Sequence, residues 1–180
     1  MKHREKRKSP SSRRQIVRFL VIFFGIWALL WAVPYVLGTF PPGVKRLCPI
    51  TATVLGHILS LLGFRTTVDG VYVNFGSAEF MIIAECTGYT AMALFLSVVV
   101  AYPSSIREKL LGLAIGFPLI LAFNMFRLVV MAVIMAYRPQ YFEVAHLYFW
   151  QVALIMFVVA IVILWTQKLV GREKTLPVSS

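Results

Sequence analysis

Two long apolar runs without a charged residue restrict this chain more than any other feature of its sequence. The first, FLVIFFGIWALLWAVPYVLG, extends from Phe19 to Gly38, and the second, LYFWQVALIMFVVAIVILWTQ, extends from Leu147 to Gln167. Each reaches the roughly 20 residues that an α-helix needs to cross the hydrocarbon core of a bilayer. Only 14% of the residues are charged, against about 25% in a soluble domain. The sequence therefore predicts an integral membrane protein.

The positive charge of the chain is concentrated at one end. The net charge is +11, and eight of the 18 basic residues precede the first apolar run. A basic cluster beside a membrane helix binds anionic lipid, and each residue contributes about 1 kcal/mol of binding free energy. Such a cluster also keeps its end of the helix in the cytoplasm. We therefore predict a cytoplasmic N-terminus and membrane lipid as a partner, and we expect no nucleic-acid partner.

Hydropathy predicts four spans, at about 17–38, 88–103, 110–137 and 146–167. The segment 44–64 is harder to assign, because its polar residues lie near one stripe at helical spacing. This pattern is typical of an amphipathic helix in the outer interface of the membrane. A fifth span is the alternative interpretation.

Counting basic residues separates the two topologies. With four spans, 13 basic residues are cytoplasmic and four face outward, with Arg127 inside the membrane. With five spans, ten are inside and seven outside, and the basic C-terminal tail lies on the wrong side. Because basic residues accumulate in cytoplasmic segments, the count favours four spans.

Residues 65–84 contain Asp-Gly and Phe-Gly-Ser turn signals between β-branched and aromatic residues, which predicts a short extracytoplasmic β-hairpin or meander.

Taken together, these patterns predict an all-α polytopic membrane protein with about four transmembrane helices, an interfacial helix and a small extracytoplasmic β-hairpin. Residues 1–16 and 169–180 form cytoplasmic tails in this scheme. Residues 17–168 form the membrane-embedded domain, with an extracytoplasmic segment at 39–87.

The predicted topology brings three reactive side chains to the outer layer of the membrane. Cys86 lies where the second span begins, and His146 lies at the outer mouth of the fourth. Arg127 lies roughly 25 Å along the third span from about residue 110, at 1.5 Å per residue. A thiol, a guanidinium and an imidazole are thus expected at one depth.

Arg127 is the only strong charge well inside a predicted span. An arginine at a helix centre costs about 2.5–3.5 kcal/mol on insertion scales, so a partner or a water-filled cavity is expected to offset it. Asn124, one turn below, can hydrogen-bond the guanidinium or a carbonyl. A snorkelling arginine that anchors the helix at the interface is the alternative.

Cys86 has the setting of a reactive thiol. A helix that starts near it and the cation of Arg127 would both stabilise the thiolate. Glu85 would oppose this effect, so we expect its carboxylate to point elsewhere, either pairing with a basic residue or capping the helix. A disulfide with Cys48 is the alternative on an oxidising face, and we favour a free Cys86 thiol.

Together, Cys86, Arg127 and His146 supply the groups that acyl transfer needs: a nucleophile, a cation for the oxyanion and a general acid–base. His146 also has an alternative interpretation as an interfacial residue of the aromatic belt. The sequence predicts neither a metal site nor a cofactor site.

The order of these motifs resembles the exosortase/archaeosortase family. The motifs are ECTG before an apolar helix, NMFR inside the next, and a histidine opening the last. The resemblance covers roughly residues 65–167 and is greatest to the compact exosortase H type, associated with IPTL-type signals. It implies catalytic roles for Cys86, Arg127 and His146, supported by Asn124 and Glu85. Thr87 stands where the family more often has Ser or Ala.

The resemblance also implies a function. Such proteins are proposed to be membrane cysteine transpeptidases that cut exported proteins at a C-terminal motif followed by a transmembrane helix and a basic tail. We therefore expect a multi-pass protein of the bacterial inner membrane with its active site facing the periplasm. Two alternatives remain: a noncatalytic transport or assembly component, and a thiol acyltransferase acting on lipid.

Overall fold

The computed structural model describes residues 12–38, 42–76 and 78–170. The first helical segment comprises α1 (Ser12–Trp27), a π-helical turn (Ala28–Ala32) and α2 (Val33–Leu37), and helix α3 (Pro42–Leu61) follows. Three strands, β1 (Thr66–Asp69), β2 (Tyr72–Phe75) and β3 (Ala78–Met81), lead to a 3₁₀ turn at Ala84–Thr87. Residues 1–11 and 171–180, in the predicted tails, lie outside the described residues.

The second half of the chain is helical. Helices α4 (Tyr89–Ala101) and α5 (Ile106–Tyr137) come first, followed by a 3₁₀ turn at Pro139–Tyr141 and the short α6 (Phe142–Val144). A π-helical turn at Ala145–Phe149 leads into α7 (Trp150–Trp165), and a second π-helical turn, Thr166–Val170, ends the described part.

Three helical segments among the described residues are long and apolar enough to cross a membrane. They are Arg13–Leu37, Ile106–Tyr137 and Pro139–Lys168, and they correspond to three of the four predicted spans. The remaining one, predicted at 88–103, is α4, which has 13 residues and is about 20 Å long. The hydrocarbon core is about 30 Å across. The all-α membrane fold is thus confirmed, with three long helices and one short apolar helix.

Helix α4 is the centre of one of the two cores. None of residues 89–99 is exposed, because α4 packs against α1, α5 and α7. A helix that is apolar on all sides is expected in such a position. Gly116 of α5 allows the close approach, since a Cβ at this position would overlap the ring of Phe95. This core contains Ala91, Phe95, Val99, Ile120, Val158, Ile161, Trp165 and Val170.

Helix α3 carries the amphipathic pattern that the sequence predicts. It buries the apolar residues Cys48, Ala52 and Leu55. The polar residues of the predicted stripe, Arg46, Thr53, His57 and Ser60, are exposed. Although it has 20 residues, it is not one of the described helices that are apolar enough to cross a membrane. This result favours the interfacial helix over a fifth span.

The predicted hairpin is a three-stranded antiparallel meander in the order β1-β2-β3. Val73 of β2 pairs with Val68 of β1 and with Phe80 of β3. The buried side chains of Val73 and Phe75 belong to a second core that includes α3, α5, Cys86 and Trp150. The 3₁₀ turn that carries Cys86 therefore joins the sheet core to the α4 core.

Candidate active site

The ECTG sequence forms a hydrogen-bonded turn that ends before α4. The Cys86 amide donates to the Ile83 carbonyl at 2.9 Å, and the Thr87 hydroxyl donates to the Ala84 carbonyl at 2.6 Å and accepts from the Tyr89 amide at 3.3 Å. Helix α4 thus begins at Tyr89, three residues after Cys86. Cys86 is therefore close to the N-terminus of α4 without being part of the helix.

Gly88 is required at the end of this turn. Its φ of +79° lies in the left-handed region, where a side chain is unfavourable. A Cβ at Gly88 would also lie 3.3 Å from Asn124 Cβ. The glycine therefore lets the turn approach α5 closely.

Asn124 connects the cysteine turn to Arg127. Its Nδ2 donates to the Cys86 carbonyl at 2.7 Å, and its Oδ1 accepts from Arg127 Nη1 at 3.4 Å. The side chain is 1% exposed, so water does not replace either bond. Both contacts predicted for Asn124, with a carbonyl and with the guanidinium, are therefore present.

Arg127 is 8% exposed and lies about 15 Å before the end of α5 at 1.5 Å per residue. Its Nε has no hydrogen-bond partner among the described residues. A snorkelling arginine would hold its charged group in water, which this burial contradicts. Through Asn124, the guanidinium is connected to the backbone of Cys86.

His146 lies in the π-helical turn before α7. The helical segment that contains it begins seven residues earlier, at Pro139. The imidazole stacks on Phe142 with a centroid distance of 5.7 Å and an interplanar angle of 10°, and Phe142 in turn contacts Phe80 of β3 at 5.9 Å. Within the described chain, its Nδ1 has no hydrogen-bond partner.

A cavity of about 560 Å³ lies beside these groups, within the usual range of ligand sites. Glu85, Arg127 and His146 line one part of it. Most of the other lining residues are apolar or aromatic, among them Trp27, Ile83, Ala91, Leu94, Leu147, Trp150, Leu154, Ile155 and Val158. The Cys86 side chain, which is 3% exposed, is not among the residues that line this cavity.

Comparison with known proteins identifies the family. A family model described as transmembrane exosortase matches residues 13–166. The chain belongs to the transmembrane exosortase family. No curated protein and no solved structure matches it. Family membership and the three long apolar helices together make this exosortase a multi-pass membrane protein.

Two cavity residues of this exosortase are absent from the sequence-based prediction. Trp150 follows His146 by four residues, a spacing that places two side chains on one helix face, and this signal could have indicated it. Trp27 comes from the uniform first apolar run and has no comparable signal. No group of three or more His, Cys, Asp or Glu residues that could hold a metal ion occurs in the described ranges.

The resting thiol of this exosortase is protonated at neutral pH. Burial raises the pKa of Cys86, and the Glu85 carboxylate acts in the same direction. A hydrogen bond to the thiol from the Ile83 backbone and the charge of Arg127 lower the pKa, without cancelling the effect of burial. Burial outweighs the stabilising charge of Arg127 because Cys86 is only 3% exposed and burial disfavours the charged form. Cys48 and Cys86 are both free and belong to one buried core.

Alkylation of Cys86 is expected to accelerate continuously with pH. Since the pKa lies above the value of about 8.5 for a free cysteine, the thiolate fraction increases about tenfold per pH unit up to that value. We expect iodoacetamide labelling of a Cys48→Ala protein, which keeps a single thiol, to increase from pH 6.5 to pH 8.5 without levelling off. Circular dichroism at each pH serves as the folding control. A plateau below pH 8 would show that the resting site stabilises the thiolate.

Proposed function

We propose that this exosortase is a membrane cysteine peptidase and transpeptidase. It cleaves the C-terminal sorting signal of exported proteins and transfers the new carboxyl group to an acceptor. The observation that carries the proposal is the cavity that Arg127 and His146 line together, with Arg127 connected through Asn124 to the backbone of Cys86.

In the first half of the reaction, Cys86 forms a thioester with the substrate. His146 accepts the thiol proton as the Cys86 sulfur bonds to the scissile carbonyl carbon, and the carbonyl π electrons move to the oxygen. Arg127 stabilises the oxyanion. When the carbonyl re-forms, the carbon–nitrogen bond breaks and the leaving amine takes the proton from His146. This role suits a resting thiol that is neutral, because the base acts only during the attack.

In the second half, the acceptor nucleophile attacks the thioester carbonyl and gives its proton to His146. The carbon–sulfur bond then breaks, and the Cys86 thiolate recovers a proton from the imidazolium. Asn124 positions both partners, since it bonds the Cys86 carbonyl and the Arg127 guanidinium. No metal or cofactor enters this sequence of steps.

The substrate class follows from the family resemblance and from the cavity. A substrate with a short C-terminal motif, a transmembrane helix and a basic tail would place its motif at the membrane surface. The apolar lining of the cavity suits residues at the start of that helix. We further propose that the protein lies in the bacterial inner membrane with a cytoplasmic N-terminus, and that the cavity faces the periplasm.

Trapping at Cys86 tests this function. The full chain is expressed with a tagged reporter that ends in an IPTL-type motif, a transmembrane helix and a basic tail. We expect mass spectrometry to find a hydroxylamine-sensitive, reporter-derived acyl group on Cys86, absent from Cys86→Ala and retained in Cys48→Ala. Cys48→Ala is the matched control because it removes the other buried thiol.

Two results would contradict the proposal. Processing of the reporter by the Cys86→Ala protein would remove the nucleophile from the mechanism. A lipid-derived acyl group on Cys86, without shortening of the reporter, would instead support a thiol acyltransferase acting on lipid.

A further inference from the structure

Three buried nitrogen atoms in residues that line the cavity have no hydrogen-bond partner in the described part of the chain. They are Arg127 Nε, His146 Nδ1 and Trp150 Nε1. Most buried N–H groups in native proteins are paired, so three such atoms around one cavity require an explanation. The first two belong to residues with a proposed role in the reaction, whereas Trp150 has none.

Trp150 is held firmly by aromatic neighbours. Its ring meets Phe123 at 6.2 Å, Phe126 at 6.0 Å and Phe149 at 5.1 Å, each in an edge-on arrangement. The side chain is 4% exposed. An interfacial tryptophan of the aromatic belt would direct its N–H toward water, so burial excludes that role.

A second tryptophan of α7 shows the ordinary arrangement. Trp165 is also buried, and its Nε1 donates to the Glu108 carbonyl at 2.9 Å. The same helix therefore satisfies the indole N–H of Trp165, whereas that of Trp150, a residue that lines the cavity, has no acceptor among the described residues. The difference indicates that the acceptor for Trp150 comes from a bound molecule.

We propose that Trp150 Nε1–H donates a hydrogen bond to the scissile carbonyl oxygen of the substrate as this oxygen becomes an oxyanion. The inference rests on the proposed function, because an oxyanion forms only if Cys86 attacks a carbonyl. His146 and Trp150 lie one turn apart at the start of one helix. Both residues line the same cavity, so a carbonyl bound there can approach both.

The two donors have complementary roles. Arg127 brings a positive charge, while the indole brings a neutral donor whose direction is fixed by packing on Phe123 and Phe126. A fixed donor needs no reorganisation when charge develops, which is the condition for strong stabilisation of a transition state. Trp150 thereby becomes a catalytic residue in addition to those that the sequence indicates.

Replacing the indole nitrogen alone tests the proposal. In the full-length protein, Trp150 is exchanged for β-(3-benzothienyl)alanine, which keeps the bicyclic shape and puts sulfur in place of N–H. Initial rates of Cys86 thioester formation are measured over a range of concentrations of the IPTL-type reporter. We expect kcat to fall about 10²-fold with an unchanged KM and an unchanged melting temperature. Trp150→Phe should reduce kcat similarly.

The matched control places the same analogue at Trp165, where it removes the bond to the Glu108 carbonyl. This variant should melt at a lower temperature and keep the kcat of the wild type. An unchanged kcat at Trp150, or an effect confined to KM, would overturn the role of Trp150 while leaving the Cys86 mechanism intact. A wild-type protein that forms no thioester would overturn the proposed function, and the Trp150 proposal with it.

Discussion

Replacing Arg127 with leucine is expected to lower the rate of reporter processing by about 10³-fold, the upper effect of losing one oxyanion donor, while raising the melting temperature. The rate falls because the oxyanion loses its cation. Stability increases because the guanidinium is buried and bonds to Asn124 at only 3.4 Å. An arginine inside a membrane helix costs about 2.5–3.5 kcal/mol of insertion free energy, whereas a leucine has no such cost.

The measurement combines initial rates in membranes with thermal unfolding in detergent. Arg138→Leu is the matched control, since Arg138 ends the same helix and is exposed. It removes the same charge and should change neither the rate nor the melting temperature appreciably. If Arg127→Leu instead unfolded at a lower temperature and processed the reporter normally, Arg127 would be a structural residue.

Replacing Asn124 with leucine is expected to reduce both activity and stability. The Cys86 carbonyl would lose its 2.7 Å bond from Asn124 Nδ2, and an unpaired buried carbonyl costs about 1–3 kcal/mol. The turn would also lose the contact that fixes the nucleophile relative to Arg127. A displacement of about 1 Å can cost 10²-fold in rate, so we expect about a 10²-fold loss of kcat.

An aspartate at position 124 separates the two bonds of the asparagine. Asn124→Asp keeps an acceptor for Arg127 but replaces the donor to the Cys86 carbonyl with a second oxygen. We therefore expect Asn124→Asp to lose activity as Asn124→Leu does. Asn74→Ala, in β2, is the control outside the site. Activity close to that of the wild type in Asn124→Asp would show that the bond to the Cys86 carbonyl does not position the nucleophile.

Hydropathy and residue order predicted much of the fold. The first apolar run and the run from Leu147 both form long helices, because the absence of charge over about 20 residues permits little else. Helix α4 lies within the span predicted at 88–103, but its exact ends were not predictable in this way. Its start depends on the Thr87 hydroxyl and the positive φ of Gly88, and its end depends on the extended backbone of Tyr102. A hydropathy profile does not show these local details.

The candidate site was also predictable only in part. Asn124 and Arg127 are three residues apart on a regular helix, so their contact follows from the spacing. The cavity-facing position of Glu85 does not, because a 3₁₀ turn directs side chains differently from an α-helix. His146 lies within a π-helical turn, and Trp150 directly follows it. The extra residue in such a turn changes the phase of the helix, and apolar periodicity does not reveal it.

Because other helices surround α4, the position of Cys86 should depend little on the thickness of the lipid bilayer. A helix of 13 residues in contact with lipid would be about 10 Å too short for an average bilayer, and such hydrophobic mismatch makes helices tilt or deform the membrane. Since α1, α5 and α7 surround α4, packing within the protein determines the depth of Cys86 in the membrane. The nucleophile should therefore keep its position relative to Arg127 and His146 in membranes of different thickness.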